Sequence, residues 1–138
     1  MSTGPTSRGG IFAIGGRVPT EIRVATWLLL AGGLLFQAVG LLRLAFEGGT
    51  VESFLLVPTL QLVISIGVAG GLLRGLRSAR LFGLVFVLLF ALLHTFIALQ
   101  PFALWVRIVS GLMAAMQVYV AVLLNTRPAL LYTGGVRR

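Results

Sequence analysis

An all-α membrane protein, built as an antiparallel four-helix transmembrane bundle with both termini in the cytoplasm, is the fold class this sequence predicts. Three observations predict it. Hydrophobic residues make up 58% of the 138-residue chain and charged residues only 10%, whereas a soluble domain needs about a quarter charged residues to cover its surface. Four apolar runs, 24–42, 54–73, 81–99 and 102–124, each approach the roughly twenty residues that carry a helix across hydrocarbon. The arginines, finally, are shared very unequally between the segments that join those runs.

In lipid every backbone polar group must bond inside the protein, so runs of this length predict helices. Strands of a membrane barrel would alternate apolar and polar residues over shorter stretches, and these runs do not alternate. The first helix is expected over about 20–46, with Thr20 as a capping residue and Glu21 in an acidic first turn. Glu47, Gly48, Gly49 and Thr50 break the chain before a second helix over 53–74, whose Pro58 is expected to kink or loosen one turn. A third helix is expected over 79–100. Leu99, Gln100 and Pro101 then form a tight connection, with Pro101 suited to the first turn of a fourth helix over 102–126. Pro128 disfavours helix in the residue before it and ends that helix. The domain organisation is therefore a flexible cytoplasmic segment over 1–19, a transmembrane domain over 20–127 and a short cytoplasmic tail over 128–138. At 14.7 kDa there is no room for a separate soluble domain.

Short cytoplasmic loops collect basic residues. Arg8, Arg17, Arg23, Arg74, Arg77, Arg80, Arg127, Arg137 and Arg138 fall on one side, and only Arg43 and Arg107 on the other, with Glu47 and Glu52. That balance predicts a multi-pass protein of the cell membrane with both termini cytoplasmic. Trp27 and Tyr132 fall near the inner interface and Trp105 near the outer one, where amphipathic rings prefer to sit. The N-terminus does not read as a cleavable signal, because Gly, Ser and Thr dominate residues 1–19 and the first apolar run is of full spanning length.

Composition also excludes functions. A net charge of +8 invites a nucleic-acid reading, but the basic residues are dispersed between apolar runs, so no nucleic-acid partner is expected. All eleven are arginine, a usage typical of GC-rich bacterial coding. With no cysteine, thiol chemistry and cysteine-ligated metals are impossible. One histidine cannot supply both axial ligands of a bis-histidine haem, and it makes a poor zinc site with distant glutamates. All three carboxylates lie at helix ends, so the deep carboxylate of a proton-coupled drug exporter is missing. No nucleophile elbow is present. The expectation is a non-enzymatic protein with no catalytic residue, cofactor or metal.

Polar residues within membrane helices turn toward protein or water. At 100° per residue, Thr26, Gly33, Gln37, Gly40 and Glu47 share a face of the first helix, and Pro58, Gln61, Ser65 and Ala69 one of the second. Gly83, Ala91, His94 and Ala98 align on the third. On the fourth, Arg107, Gly111, Ala114, Val118, Ala121 and Asn125 align, flanked by Ser110 and Gln117. Gln37, Gln61, Ser65, Ser110 and Gln117 thus form a polar seam, read first as packing faces and second as walls of a cavity. Arg43, Glu47, Glu52, His94 and Arg107 gather toward the outer leaflet. They read either as an ionisable pocket, with Arg107 paired to Glu52 or Glu47, or as structural pairs with His94 bonded across the bundle. Arg74, Arg77 and Arg80 are expected to contact anionic lipid headgroups.

The segments 71–84 (GLLRGLRSARLFGL) and 123–132 (LLNTRPALLY), with the helix spacing, resemble small four-span membrane proteins of actinobacterial type. Those proteins often carry an aromatic residue where this chain has Ser78. The resemblance implies fold and location and brings no activity or site residue with it. Three functional expectations remain. The first is an accessory, scaffolding or self-associating subunit, as a homo-oligomer or within a larger membrane complex. The others are a small transporter or channel for an anionic or weakly acidic solute, and a protein that binds a lipid or hydrophobic small molecule.

Overall fold

The computed structural model describes residues 17–134, which form five helices: α1 Thr20–Glu47, α2 Val51–Leu73, α3 Arg77–Leu99, α4 Leu104–Leu124 and α5 Arg127–Gly134. Among the described residues there are no strands. Most of the N-terminal segment expected over 1–19, with Arg8, Arg137 and Arg138, lies outside them.

The first four helices are each long and apolar enough to cross a membrane. Their outer surfaces are just as apolar: Leu34, Leu41, Leu88, Leu92 and Leu112 are all at least half exposed. Water-soluble monomers rarely expose contiguous apolar patches beyond a few hundred Å², so a surface like this calls for lipid as its solvent. The architecture is that of a multi-pass membrane protein.

Helix ends follow local chemistry. Thr50 accepts a hydrogen bond from the Ser53 amide and caps α2. The end of α2 is a Schellman turn: Gly75 takes φ +70°, its amide donates to the Leu72 carbonyl, and the Leu76 amide donates to the Gly71 carbonyl, both at 3.0 Å. Thr20 is not the cap expected for α1. It lies inside the helix, Pro19 occupies the cap position, and no side chain caps this end. Pro101 likewise falls in the connection, with Ala103 as the cap residue of α4. Pro128 has a double role. Asn125 ends α4, with its side chain on the Ala121 carbonyl, and Pro128 then sits in the first turn of α5, where its missing amide costs nothing.

α5 is the element the sequence reading did not contain. Its Ala129 is fully buried and Thr133 nearly so, and Tyr132 donates a 2.7 Å hydrogen bond to the Leu73 carbonyl at the end of α2. It therefore closes one end of the molecule. Beneath it lies a continuous apolar core from all four long helices, including Ile22, Leu29, Val68, Leu72, Phe86, Val87, Val120 and Leu124.

The most extensive pairings are α1 with α2 and α3 with α4, and contacts of α1 with α4 and of α2 with α3 are fewer. One close approach inside the first pair has a clear cause. Pro58 has no amide, so the Phe54 carbonyl one turn earlier loses its helical donor. Gly40 of α1 packs there, and an added Cβ would stand 2.7 Å from that oxygen. Only glycine lets the two backbones meet this closely.

Candidate interior polar site

The face predicted for α2 is buried, Pro58, Gln61, Ser65 and Ala69, as are Gly83, Ala91 and His94 of the face predicted for α3, whose Ala98 is only half-buried. The face of α4 is rotated from the expected one. Val106, Ser110, Met113, Gln117 and Val120 point inward, while Arg107, Gly111 and Val118 are exposed. The residues expected only to flank the stripe are its centre. In α1, Gln37 is half-buried at the edge and accepts a hydrogen bond from Thr59 of α2 at 3.2 Å.

The expected outer-leaflet cluster separates into distinct parts. Arg43 and Glu47 pair along α1, the guanidinium donating from Nε and Nη2 to the carboxylate at 2.8–3.2 Å. Arg43 also lies 5.0 Å from the ring centres of both Phe54 and Phe102, a two-sided cation–π contact. The residue types alone did not indicate this aromatic clamp, because one ring comes from the first turn of α2 and the other from the α3–α4 connection. Glu52 is exposed in the first turn of α2. Arg107 is exposed and donates from Nε to the Ala98 carbonyl at 3.0 Å, closing the α3–α4 connection; its expected carboxylate partner is replaced by a backbone oxygen.

His94 sits apart from all four. It is fully buried, with its ring edge-on to Phe36 at 4.7 Å and tilted against Phe90 at 6.3 Å. Neither ring nitrogen finds a hydrogen-bond partner. The same holds for both polar atoms of Gln61, the hydroxyls of Ser65 and Thr26, and Oε1 of Gln117. Gln61, Ser65, His94 and Gln117 are at most 1% exposed. All four long helices contribute to this set.

Three of these side chains lie close in depth. A Cβ at Gly32 would come within 3.8 Å of Gln117 Nε2, and one at Gly33 within 3.2 Å of Leu62 Cα. Gln117 of α4 and the Gln61–Leu62 turn of α2 thus meet α1 at one level. Phe36, which holds His94, is one turn along the same helix. The vertical separation is about 5 Å.

Above this level is a cavity of about 180 Å³, lined by Phe36, Val39, Gly40, Phe54, Val57, Pro58, Leu93, Ile97 and Val106, with Arg43, Ser53 and Ser110 as its polar residues. Pro58 stands one turn from Gln61, Leu93 adjoins His94, and Ser110 shares the buried face of α4 with Gln117. Gln61 and His94 therefore lie next to cavity-lining residues, and none of Gln61, Ser65, His94 and Gln117 lines the cavity itself.

The arginines of the α2–α3 connection also divide. Arg74 and Arg77 are exposed, but Arg80 is buried, with its Nε unpartnered. Arg80 is the fourth residue of α3 and is largely buried, unlike the other two. Among the described residues, no three His, Asp or Glu side chains assemble as a metal-ligand set. No protein-family model, curated protein or solved structure matches this chain.

Proposed function

We propose that the protein crosses a cell membrane four times as antiparallel helices, with both termini cytoplasmic, and binds a small uncharged amphipathic molecule within the bundle. It is non-enzymatic in this reading. The chemistry of the interior side chains carries the proposal. Gln61 and His94 are buried with unpartnered polar atoms next to Pro58 and Leu93, which line a cavity. Ser65 and Gln117 carry unpartnered atoms further along the same helix faces, and each orphaned group costs about 1–3 kcal/mol. A dry packing face would bond these groups to one another. A guest with a donor and an acceptor relieves the cost.

The guest is uncharged because nothing near it favours either sign. Arg43, the charged residue of the lining, is neutralised by Glu47, and Arg107 is exposed and does not line the cavity. The reading of an anionic solute therefore draws no support from the pairing. The walls are apolar, which suits a short alkyl group, and 180 Å³ is below the usual range for drug-sized ligands.

The test uses hexanamide, hexanoate and hexylamine as probes with the detergent-solubilised protein. Hexanamide raises the melting temperature of the wild type, corresponding to about 2.7 kcal/mol when present at a hundredfold its Kd. The shift disappears in Gln61→Leu and shrinks in His94→Phe. An equal shift in both variants, or a stronger response to hexanoate, removes the proposal. An accessory or self-associating subunit is the second reading, favoured by Gly70 and Gly111, whose outward sides are open. Native mass spectrometry in mild detergent separates the two, since a strictly monomeric chain that co-purifies with nothing excludes the second. The resemblance to four-span actinobacterial proteins agrees with either.

A further inference from the structure

A shallow groove of about 470 Å³ runs along the α2–α3 seam from their connection toward the middle of both helices. Ile64, Gly67 and Gly71 of α2 and Ser78 and Phe82 of α3 line it. From Gly71 to Ile64 it extends about 10 Å at helical rise. It is almost wholly apolar, and an added Cβ at Gly67 would touch nothing within 4 Å.

The end of the groove at the α2–α3 connection is different in kind. Arg74, in the connection, and Arg77, the first residue of α3, flank the lining residue Leu76 in sequence and are exposed, and among the described residues no carboxylate pairs with either. Ser78, in the first turn of α3, is one of the residues that line the groove. No side chain caps α3, so its first amides have no partner from a cap, and the positive end of the helix dipole faces the same place. Guanidinium groups bind phosphate through paired hydrogen bonds, more strongly than an ammonium point charge does.

We infer that this seam is a binding site for one anionic phospholipid, with its phosphate held by Arg74, Arg77 and Ser78 and one acyl chain laid over Gly67 and Gly71. A zwitterionic lipid presents the same chains, but its headgroup cation meets two arginines. Charge complementarity therefore selects the anionic lipid. The site requires only that the four helices lie in a bilayer, and it is independent of the guest in the interior cavity.

The experiment delipidates the purified full chain, adds dioleoyl phosphatidylglycerol or dioleoyl phosphatidylcholine, and counts retained lipid by native mass spectrometry. Wild type keeps one phosphatidylglycerol and at least fivefold less phosphatidylcholine. Arg74→Gln with Arg77→Gln brings the two lipids to equal retention. Gly67→Leu fills the groove from an open position, so the chain folds and retention of both lipids falls. Arg107→Gln, at the other end, changes neither. Undiminished phosphatidylglycerol in the double arginine variant overturns the headgroup assignment. Undiminished retention in Gly67→Leu, with helicity intact by circular dichroism, overturns the groove.

Discussion

The two ends of this molecule are built from the same four helices with similar apolar content, yet their interiors obey different rules. Toward α5, large aliphatic side chains and Phe86 interlock into a continuous core that is sealed by Ala129 and the Tyr132–Leu73 hydrogen bond. Toward the Arg43 end, α1 and α2 meet closely at Gly40 and Pro58 beside a cavity lined by Phe36 and Phe54, and the unpartnered amide of Gln61 and imidazole of His94 lie in the adjoining turns. The difference shows where free energy of folding is gained and where it is given up. Close contact between apolar groups stabilises one end. The other end has fewer such contacts around its cavity, whereas unpartnered polar atoms occur at both ends, on Thr26 and Arg80 toward α5 and on Gln61 and His94 toward the cavity.

Four measurements break or sharpen that contrast, beginning with the largest expected effect. Leu72→Ala, in the sealed end, is expected to cost about 2–5 kcal/mol in a detergent unfolding titration. Leu93→Ala, on the cavity wall, should cost less than half as much because its neighbours already lack contacts on one side. Equal costs would mean that the two ends are packed alike.

Gln61→Met keeps the length of the side chain and removes two unmet hydrogen-bonding groups. It should raise stability by about 1–2 kcal/mol. A loss of that size instead would show that the amide is satisfied by the fold itself. Tyr132→Phe deletes the bond to the Leu73 carbonyl and should cost about 1 kcal/mol. Hydrogen exchange over α5 should rise in this variant while the cavity residues stay unchanged. Glu47→Gln is the smallest: the pair with Arg43 is solvent-exposed, and its loss is expected to shift stability by under about 0.5 kcal/mol. A shift several times larger would place the pair among the determinants of the cavity.

Much of the fold was legible because lipid simplifies the problem. Hydropathy and length were enough to find four helices, and the periodicity of Pro58, Gln61, Ser65 and Ala69 marked the inward face of α2. The rotation of α4 was not legible. Small residues such as Gly111 suit a helix contact or a lipid-facing surface equally well, and the bulky Met113 had no reason in sequence to point inward. Nor was α5 legible. Eight residues are too few to form a stable helix alone, and it holds only through tertiary contacts of Ala129 and Tyr132.

By itself the sequence determined that this chain needs lipid as its solvent, where its helices run and which polar residues lie within them, because each of these depends on local composition and period. Only the tertiary structure decided that Arg43 pairs with Glu47 between two phenylalanines, that Arg80 is buried, and that Gln61, His94 and Gln117 are buried within about one turn of one another with unpartnered polar atoms. Those outcomes depend on the rotation and depth of each helix against its neighbours, which the packing of all four sets together.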